Sequence, residues 1–213
     1  HVVVEFVAAM AAATGVLTRE LDLGGGLGVR YSPDDDVPGI GQYAHVLRGA
    51  LSDAWRRASL EGEPELSVEP GRSIAAPAGL TLYTVGTIKH IEGIRTYIAV
   101  DGGMSDNIRP AAYGSVYETF LPTRAESERP LRASVVGKHC EQGDLVVSDA
   151  RLPGDVTVGD ILATPVTGAY GYAMASNYNK MPRPAIVFVR EGEARVVTRR
   201  ETVEDLIGLD DPA

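Results

Sequence analysis

A single cysteine, Cys140, is all the thiol that the 213 residues contain, so no disulfide can form within the chain. That economy fits a reducing compartment, and a cytoplasmic location is the expectation. Cys140 itself reads either as a small buried hydrophobe or as a reactive thiol. Positive charge is also short: 20 Lys and Arg face 29 Asp and Glu, for a net charge of −9. A nucleic-acid surface needs a basic footprint to displace counterions, and this balance disfavours one. No apolar run reaches the ~18 residues that a membrane span needs. The apolar stretch from His1 to Gly15 lacks the initiator Met and basic leader of a signal sequence, and Glu5 interrupts it. It is predicted to be a buried helix closed by Gly15, in a soluble protein that is expected to begin upstream of His1. Four scattered histidines and one cysteine give no metal-ligand spacing, so no metal site is expected. What is present in ordinary amount is apolar content, 44%, enough for a globular core and not indicative of disorder.

Along the chain, Glu20 to Leu23 is a short apolar strand that runs into Gly24, Gly25, Gly26, Leu27 and Gly28. A Pro- and Asp-rich loop, Tyr31 to Gly39, follows, with Asp35 or Asp36 placed to cap or charge the next helix. From Ile40 to Leu60, apolar and small residues recur at three- and four-residue steps (Tyr43, Ala44, Leu47, Ala50, Leu51, Ala54, Trp55), which predicts an amphipathic helix. The strand Leu66 to Val68 comes next. Helix, strand, glycine loop, helix and strand in this order are consecutive β/α units, whose functional residues sit at the C-terminal ends of the strands. From about Leu80 the pattern becomes strands divided by Gly, Pro and Asp turns: 80–91, 95–101, 131–136, 145–147, 161–166, 185–190 and 194–199. Val203 to Leu209 is helical again, with Glu201 and Glu204 near its start. Two domains are therefore expected, residues 1–79 and residues 80–213.

Five stretches carry polar chemistry. The glycine run offers unobstructed N–H groups that suit a phosphate or make a tight turn, and its spacing does not fit G-x-G-x-x-G. At a strand's end, Val68 to Ser73 (VEPGRS) places Glu69, Pro70, Gly71 and Arg72 in succession. Phosphate wants the N–H groups and the arginine; a protonated ring nitrogen wants the carboxylate. Arg109 and Tyr113 stand four apart after a strand, on one face if the segment is helical, with Pro110 in its first turn. Together they present a guanidinium fork and a phenol suited to a carboxylate. Lys138 to Asp144 (KHCEQGD) sets Cys140 between His139 and Glu141. Chain neighbours in an extended segment point to opposite faces, so His139 is poorly placed as a base for Cys140, and acid/base use of the thiol is favoured over acyl transfer. Thr167 to Asn179 packs three tyrosines among small residues, and Tyr170 or Tyr172 suits a phosphate contact or closure of a pocket.

In this order, LDLGGGLGVRY, VEPGRS, VDGGMSDNIRPAAYG, GKHCEQGD and GAYGYAMASNYN resemble the C-terminal half of diaminopimelate decarboxylase, a pyridoxal 5'-phosphate enzyme family of the alanine-racemase-like fold. The resemblance covers nearly the whole chain. It implies an α/β plus β fold: the C-terminal part of a (β/α)8 TIM barrel, residues 1–79, followed by a β-rich, sandwich- or Greek-key-like domain, residues 80–213. It implies that Gly24, Gly25, Gly26, Gly71 and Arg72, with Pro70 between, hold the cofactor phosphate, that Glu69 faces the pyridine nitrogen, and that Tyr170 reaches cofactor and substrate. Arg72, Arg109 and Tyr113 are then the grip on a distal carboxylate, Glu141 the partner of a distal ammonium, and Cys140 the proton donor. In the family, Cys140 and Glu141 serve the partner subunit of a homodimer. Ornithine and arginine decarboxylases, whose substrates end in a cation alone, are the neighbouring alternatives, as is a carboxylate-bearing amine of secondary metabolism. Two arginines and a tyrosine favour meso-2,6-diaminopimelate, the precursor of L-lysine. The family's Schiff-base lysine and a ring-stacking histidine belong to an early part of the barrel, and Lys89, Lys138 and Lys180 do not match that context. The chain is thus expected to be a C-terminal fragment, inactive alone; the other expectation is a non-catalytic dimerising or regulatory module.

Overall fold

The computed structural model describes residues 2–210, which divide into two compact units. The first ends at Ile74; the second takes the rest, together with the short segment Tyr31–Pro33. Among the described residues no helix is long and apolar enough to cross a membrane.

The first unit contains α1 (Val2–Thr14), β1 (Glu20–Asp22), α2 (Ile40–Arg57) and β2 (Glu65–Ser67). β1 and β2 pair in parallel, with Leu21 opposite Leu66, and the helical crossover that a parallel pair requires is α2. The periodicity of α2 does what it predicts: Leu51, Ala54 and Trp55 face inward and form the unit's core with Val4 and Leu21. Two expectations need correction. α1 is helical and is closed by Gly15 at φ +69°, but it is not buried. Its apolar residues lie on all sides while packing engages one, so Val4 is buried and Val2, Phe6 and Met10 are exposed; His1 lies outside the described residues. Nor does Asp35 or Asp36 cap α2. Pro38 and Gly39 carry the chain in extended form to Ile40, and the N-cap is Gly39 without a side-chain bond. Directly after β2, the residues read as a turn wind into α3 (Gly71–Ala75).

The second unit is built on a five-stranded sheet in the order β6-β5-β4-β3-β7, comprising β3 (Leu80–Ile91), β4 (Arg95–Val100), β5 (Leu131–Val136), β6 (Leu145–Leu152) and β7 (Ile161–Pro165). A separate antiparallel hairpin, β8 (Ile186–Arg190) and β9 (Glu193–Thr198), precedes α5 (Val203–Ile207). Within the sheet, only β4 and β5 run parallel. A parallel pair cannot be joined by a tight turn, so residues 101–130 form a long crossover, and α4 (Arg109–Tyr113) lies in it. Val85, Ile98, Val135, Leu152 and Leu162 make the centre of the core. β6 is longer than its apolar start suggests. Past Val147 it continues with Asp149 and Arg151 outward and Ala150 and Leu152 inward, and the Arg132 guanidinium pairs with Asp149 across the strands.

The start of the tyrosine-rich loop is fixed by backbone touching backbone. Thr167 N–H donates to Gly79 O at 3.1 Å and Gly168 N–H to Ala76 O at 3.2 Å. A Cβ on Gly168 would stand 2.0 Å from Ala75 O, so no other residue fits there without displacing the chain. The observed α/β pattern of the first unit and the sheet of the second accord with the α/β plus β expectation. Among the described residues, the first unit holds two parallel strands and no closed barrel.

Candidate active site

In the first unit, the glycine run and VEPGRS meet at the ends of the two parallel strands. Leu23 N–H donates to Ser67 O at 3.1 Å and Glu69 N–H to Gly24 O at 2.9 Å, which extends the pairing past both strands. Gly25 approaches so closely that a Cβ would lie 2.6 Å from Glu69 O. Gly24 and Gly26 have φ of +72° and +98°, left-handed values that favour glycine. Not every amide here is available to an anion. Gly24 N–H is turned onto Asp22 Oδ1 at 2.6 Å, and Gly71 N–H onto Glu69 O at 2.9 Å. Among the described residues, the N–H groups of Gly25 and Gly26 have no partner, and Tyr43 Oη–H steadies the loop by donating to Gly25 O at 2.9 Å. The Glu69 carboxylate is exposed and forms no ion pair among those residues. This donor set fits pyridoxal phosphate: two unpartnered amides in a cradle without side chains, and an unpaired carboxylate beside it.

In the second unit, Arg109, Tyr113 and Tyr170 come together. α4 begins at Arg109, has Pro110 in its first turn and ends on Gly114 in the left-handed conformation, so the four-residue spacing works as read. The Arg109 guanidinium carbon lies 5.2 Å from the Tyr113 ring centre and 6.0 Å from that of Tyr170. Tyr170 holds a left-handed backbone at φ +60°, which for a non-glycine residue persists only where its surroundings dictate it. Arg109 is 7% exposed, and its Nη2 donates to Ser115 Oγ at 3.2 Å. Among the described residues, Nε has no hydrogen-bond partner and no carboxylate pairs with the guanidinium. Burying a charge in this way is costly unless something pairs with it.

The turn between β5 and β6 carries Cys140 and Glu141. Cys140 is exposed, which sets aside the small buried hydrophobe. His139 turns the other way, as neighbouring positions do, and is buried. Glu141, also exposed, accepts a hydrogen bond from Tyr178 Oη at 3.3 Å, and its charge pushes the Tyr178 phenol above its ordinary value. The sequence reading passed over Tyr178, and also over Asp106, whose carboxylate accepts the Gly103 N–H at 2.9 Å and is raised by burial. Tyr178 and Glu141 are far apart in sequence, and no periodicity joins them. Tyr172 lies under the Arg183 guanidinium at 5.6 Å and is not part of the Arg109 group. Arg72 lies in α3 of the first unit, and of the three lysines Lys89 is on β3, Lys138 in the Cys140 turn and Lys180 after Tyr178.

The tyrosine-rich loop is tied down at its far end by Glu201. This carboxylate accepts Arg183 Nε at 2.7 Å, Arg183 N–H at 2.8 Å and Asn177 Nδ2 at 2.6 Å. The Arg183 side chain, then its N–H, hold the carboxyl below the ordinary glutamate value of 4.5, at about 2. A depressed carboxylate stabilises the fold fully above its unfolded value and loses that contribution as pH falls through its folded one. Glu201→Gln is therefore expected to lower Tm by about 2–4 °C at neutral pH, with the difference from wild type closing as pH falls from about 4.5 towards 2. Thermal melts across that range are the check, and a constant gap would remove the carboxylate's charge from the explanation.

Residues 8–168 match the model of the family described as pyridoxal-dependent decarboxylase, C-terminal sheet domain. The chain is 51% identical over 204 residues to the diaminopimelate decarboxylase of Actinosynnema pretiosum subsp. auranticum, covering 94% of this chain and 45% of that protein. It is 49% identical over 194 residues to that of Mycobacterium tuberculosis strain H37Rv, covering 89% and 43%. The solved structure of diaminopimelate decarboxylase from M. jannaschii in complex with L-lysine aligns at a TM-score of 0.86 and 33% identity, over 98% of this chain and 46% of that one. The chain thus spans less than half the length of these three relatives. The chain belongs to the pyridoxal-dependent decarboxylase family, within which it matches the C-terminal sheet domain.

Proposed function

We propose that the intact protein decarboxylates meso-2,6-diaminopimelate to L-lysine and carbon dioxide. The observation that carries this reading is Arg109: a guanidinium 7% exposed, flanked by two tyrosines and unpaired with any carboxylate among the described residues. A substrate with a distal carboxylate completes such a site, and one ending in a cation alone is repelled by it. The similarity to diaminopimelate decarboxylases at 49–51% identity supports the same substrate.

In this reading, Gly25 and Gly26, with the Gly24 and Gly71 backbone framing them, Pro70 shaping the turn and Arg72 adding charge, hold the phosphate of pyridoxal phosphate, and Glu69 keeps a proton on its ring nitrogen. When bound, the cofactor supplies a sink for the electron pair left as carbon dioxide departs. The remaining tasks fall to side chains of this protein. Arg109 and Tyr113, with Arg72, orient the distal carboxylate, Tyr170 closes over cofactor and substrate, and Glu141 receives the distal ammonium. The bond from the α-carbon to its carboxylate breaks, and the proton on Cys140 Sγ goes to that carbon; solvent then restores the thiol. Cys140 and Glu141, both exposed on their turn, act in the partner's site of a homodimer, and residues 1–79 close into a (β/α)8 barrel with the segment that carries the cofactor-bearing lysine. The test is an assay of the full-length protein with pyridoxal phosphate. Carbon dioxide released from diaminopimelate in excess over ornithine, arginine and lysine is the expected result, and preference for a substrate without a distal carboxylate would sink the reading.

A further inference from the structure

Under the Cys140–Glu141 turn lies a buried pair, Asp144 and His139, whose side chains are 3% and 0% exposed. Asp144 Oδ1 accepts the Met104 N–H at 2.6 Å, and Oδ2 accepts both the His139 N–H and His139 Nδ1–H at 2.8 Å each. Glycines make the room. A Cβ on Gly137 would stand 2.1 Å from Oδ2, and one on Gly103 2.5 Å from Oδ1. Two backbone bonds close the same junction, Gly137 N–H to Asp144 O at 2.9 Å and Lys138 N–H to Gly102 O at 3.0 Å. The second ring nitrogen of His139, Nε2, is buried without a partner among the described residues, so the ring's one hydrogen bond is to Asp144. Tyr178 stacks on that ring at 5.8 Å and reaches Glu141 with its hydroxyl. One carboxylate thus joins the residue before Cys140 to the loop 102–106, which leads into α4 and Arg109.

We infer that Asp144, acting through His139 and the Met104 amide, is the positioning residue that sets the Cys140–Glu141 turn against the segment carrying Arg109; its catalytic consequence rests on the function proposed above. A buried carboxylate with three donors defines position strongly because each bond is charge-assisted. Asp144→Asn turns one of the two acceptor oxygens into an NH2 that meets either the Met104 N–H or the His139 donors, so at least one of the three bonds is lost. In His139→Asn the side-chain NH2 replaces the Nδ1–H donor; in His139→Leu nothing does.

The test uses the full-length protein with D144N, H139N and H139L. Without cofactor, amide hydrogen exchange across residues 137–144 is expected to quicken about tenfold in D144N and H139L, to stay closer to wild type in H139N, and to leave β5 unchanged. With cofactor bound, turnover of diaminopimelate per loaded site is expected to fall about tenfold or more in D144N and H139L, as for a group moved by a fraction of an ångström to 1 Å, and less in H139N. A role confined to stability lowers Tm and cofactor loading but leaves turnover per loaded site intact, and that result overturns the inference. So does wild-type exchange in D144N, or equal behaviour of H139N and H139L. If the wild type leaves diaminopimelate untouched, the proposed function fails, and the exchange comparison by itself supports or overturns the positioning role.

Discussion

Arg109→Met in the full-length protein is expected to lower kcat/KM for diaminopimelate by about a thousandfold, roughly 4 kcal/mol, the loss typical of truncating one partner of a buried charge pair. The physical basis is that no carboxylate pairs with the guanidinium among the described residues. It is 7% exposed, bonds Ser115 through Nη2 and leaves Nε without a partner among the described residues, so its strongest partner is a carboxylate that only a ligand brings. Arg109→Lys keeps the charge and loses the planar fork, and a drop of about 10–100-fold follows from that alone. Stability separates this role from a structural one. Removing a buried charge that no carboxylate neutralises relieves a desolvation cost, so Tm of the Met variant is expected at or above that of wild type. A large fall in Tm with kcat/KM preserved would make Arg109 a packing residue and remove the observation on which the substrate assignment stands. Cofactor affinity, read from the bound absorbance, serves as the internal control and is expected within about threefold of wild type, because this arginine is assigned to the substrate's far end.

What was legible in the sequence was local. Arg109 and Tyr113 share a face because Pro110 starts and Gly114 ends a single turn, and four-residue spacing does the rest. The strands of the sheet were legible from alternation and turn residues, except where outward Asp149 and Arg151 made the second half of β6 look like a loop. The glycine run was legible as a place where backbone matters, but not which amides are already used; Gly24 and Gly71 spend theirs on Asp22 and Glu69. Hydrophobicity misled for α1, since apolar residues all round a helix do not say which side finds a partner. The Asp144–His139 pair and the Glu201–Arg183 tie stayed hidden for a different reason. The Glu201–Arg183 tie joins two separate segments, and the Asp144–His139 pair, though five residues apart in one turn, is held by the Met104 amide and by the room that Gly103 and Gly137 leave, which no periodicity encodes.

Cys140→Ala is expected to slow turnover of diaminopimelate by about 10²–10⁴-fold, the range for losing a positioned proton donor, while cofactor affinity stays within about threefold. The thiol is exposed on its turn, and nothing in the fold requires it there, so the substitution is expected to change stability by no more than about 0.5 kcal/mol. That combination distinguishes chemistry from packing. Carbon–carbon cleavage depends on the cofactor and on the orientation of the α-carboxylate, neither of which Cys140 supplies in this reading, so substrate consumption and proton return are separable. Run in deuterium oxide, the wild type is expected to give L-lysine carrying one deuterium at the ε-carbon, the carbon that lost its carboxylate, in the configuration set by the face that Cys140 approaches. The Ala variant is expected to lose that stereochemical control along with rate, because solvent reaches the carbon without a fixed donor. Cys140→Ser tests acidity apart from position: an alcohol of similar size gives up its proton far less readily than a thiol, so its rate is expected to lie near that of Ala. Equal losses of turnover and cofactor affinity in both variants would assign the thiol to structure. Full activity in the Ser variant would show that a proton relay through any hydroxylic group suffices, and the donor role would then belong to the turn, not to its sulfur.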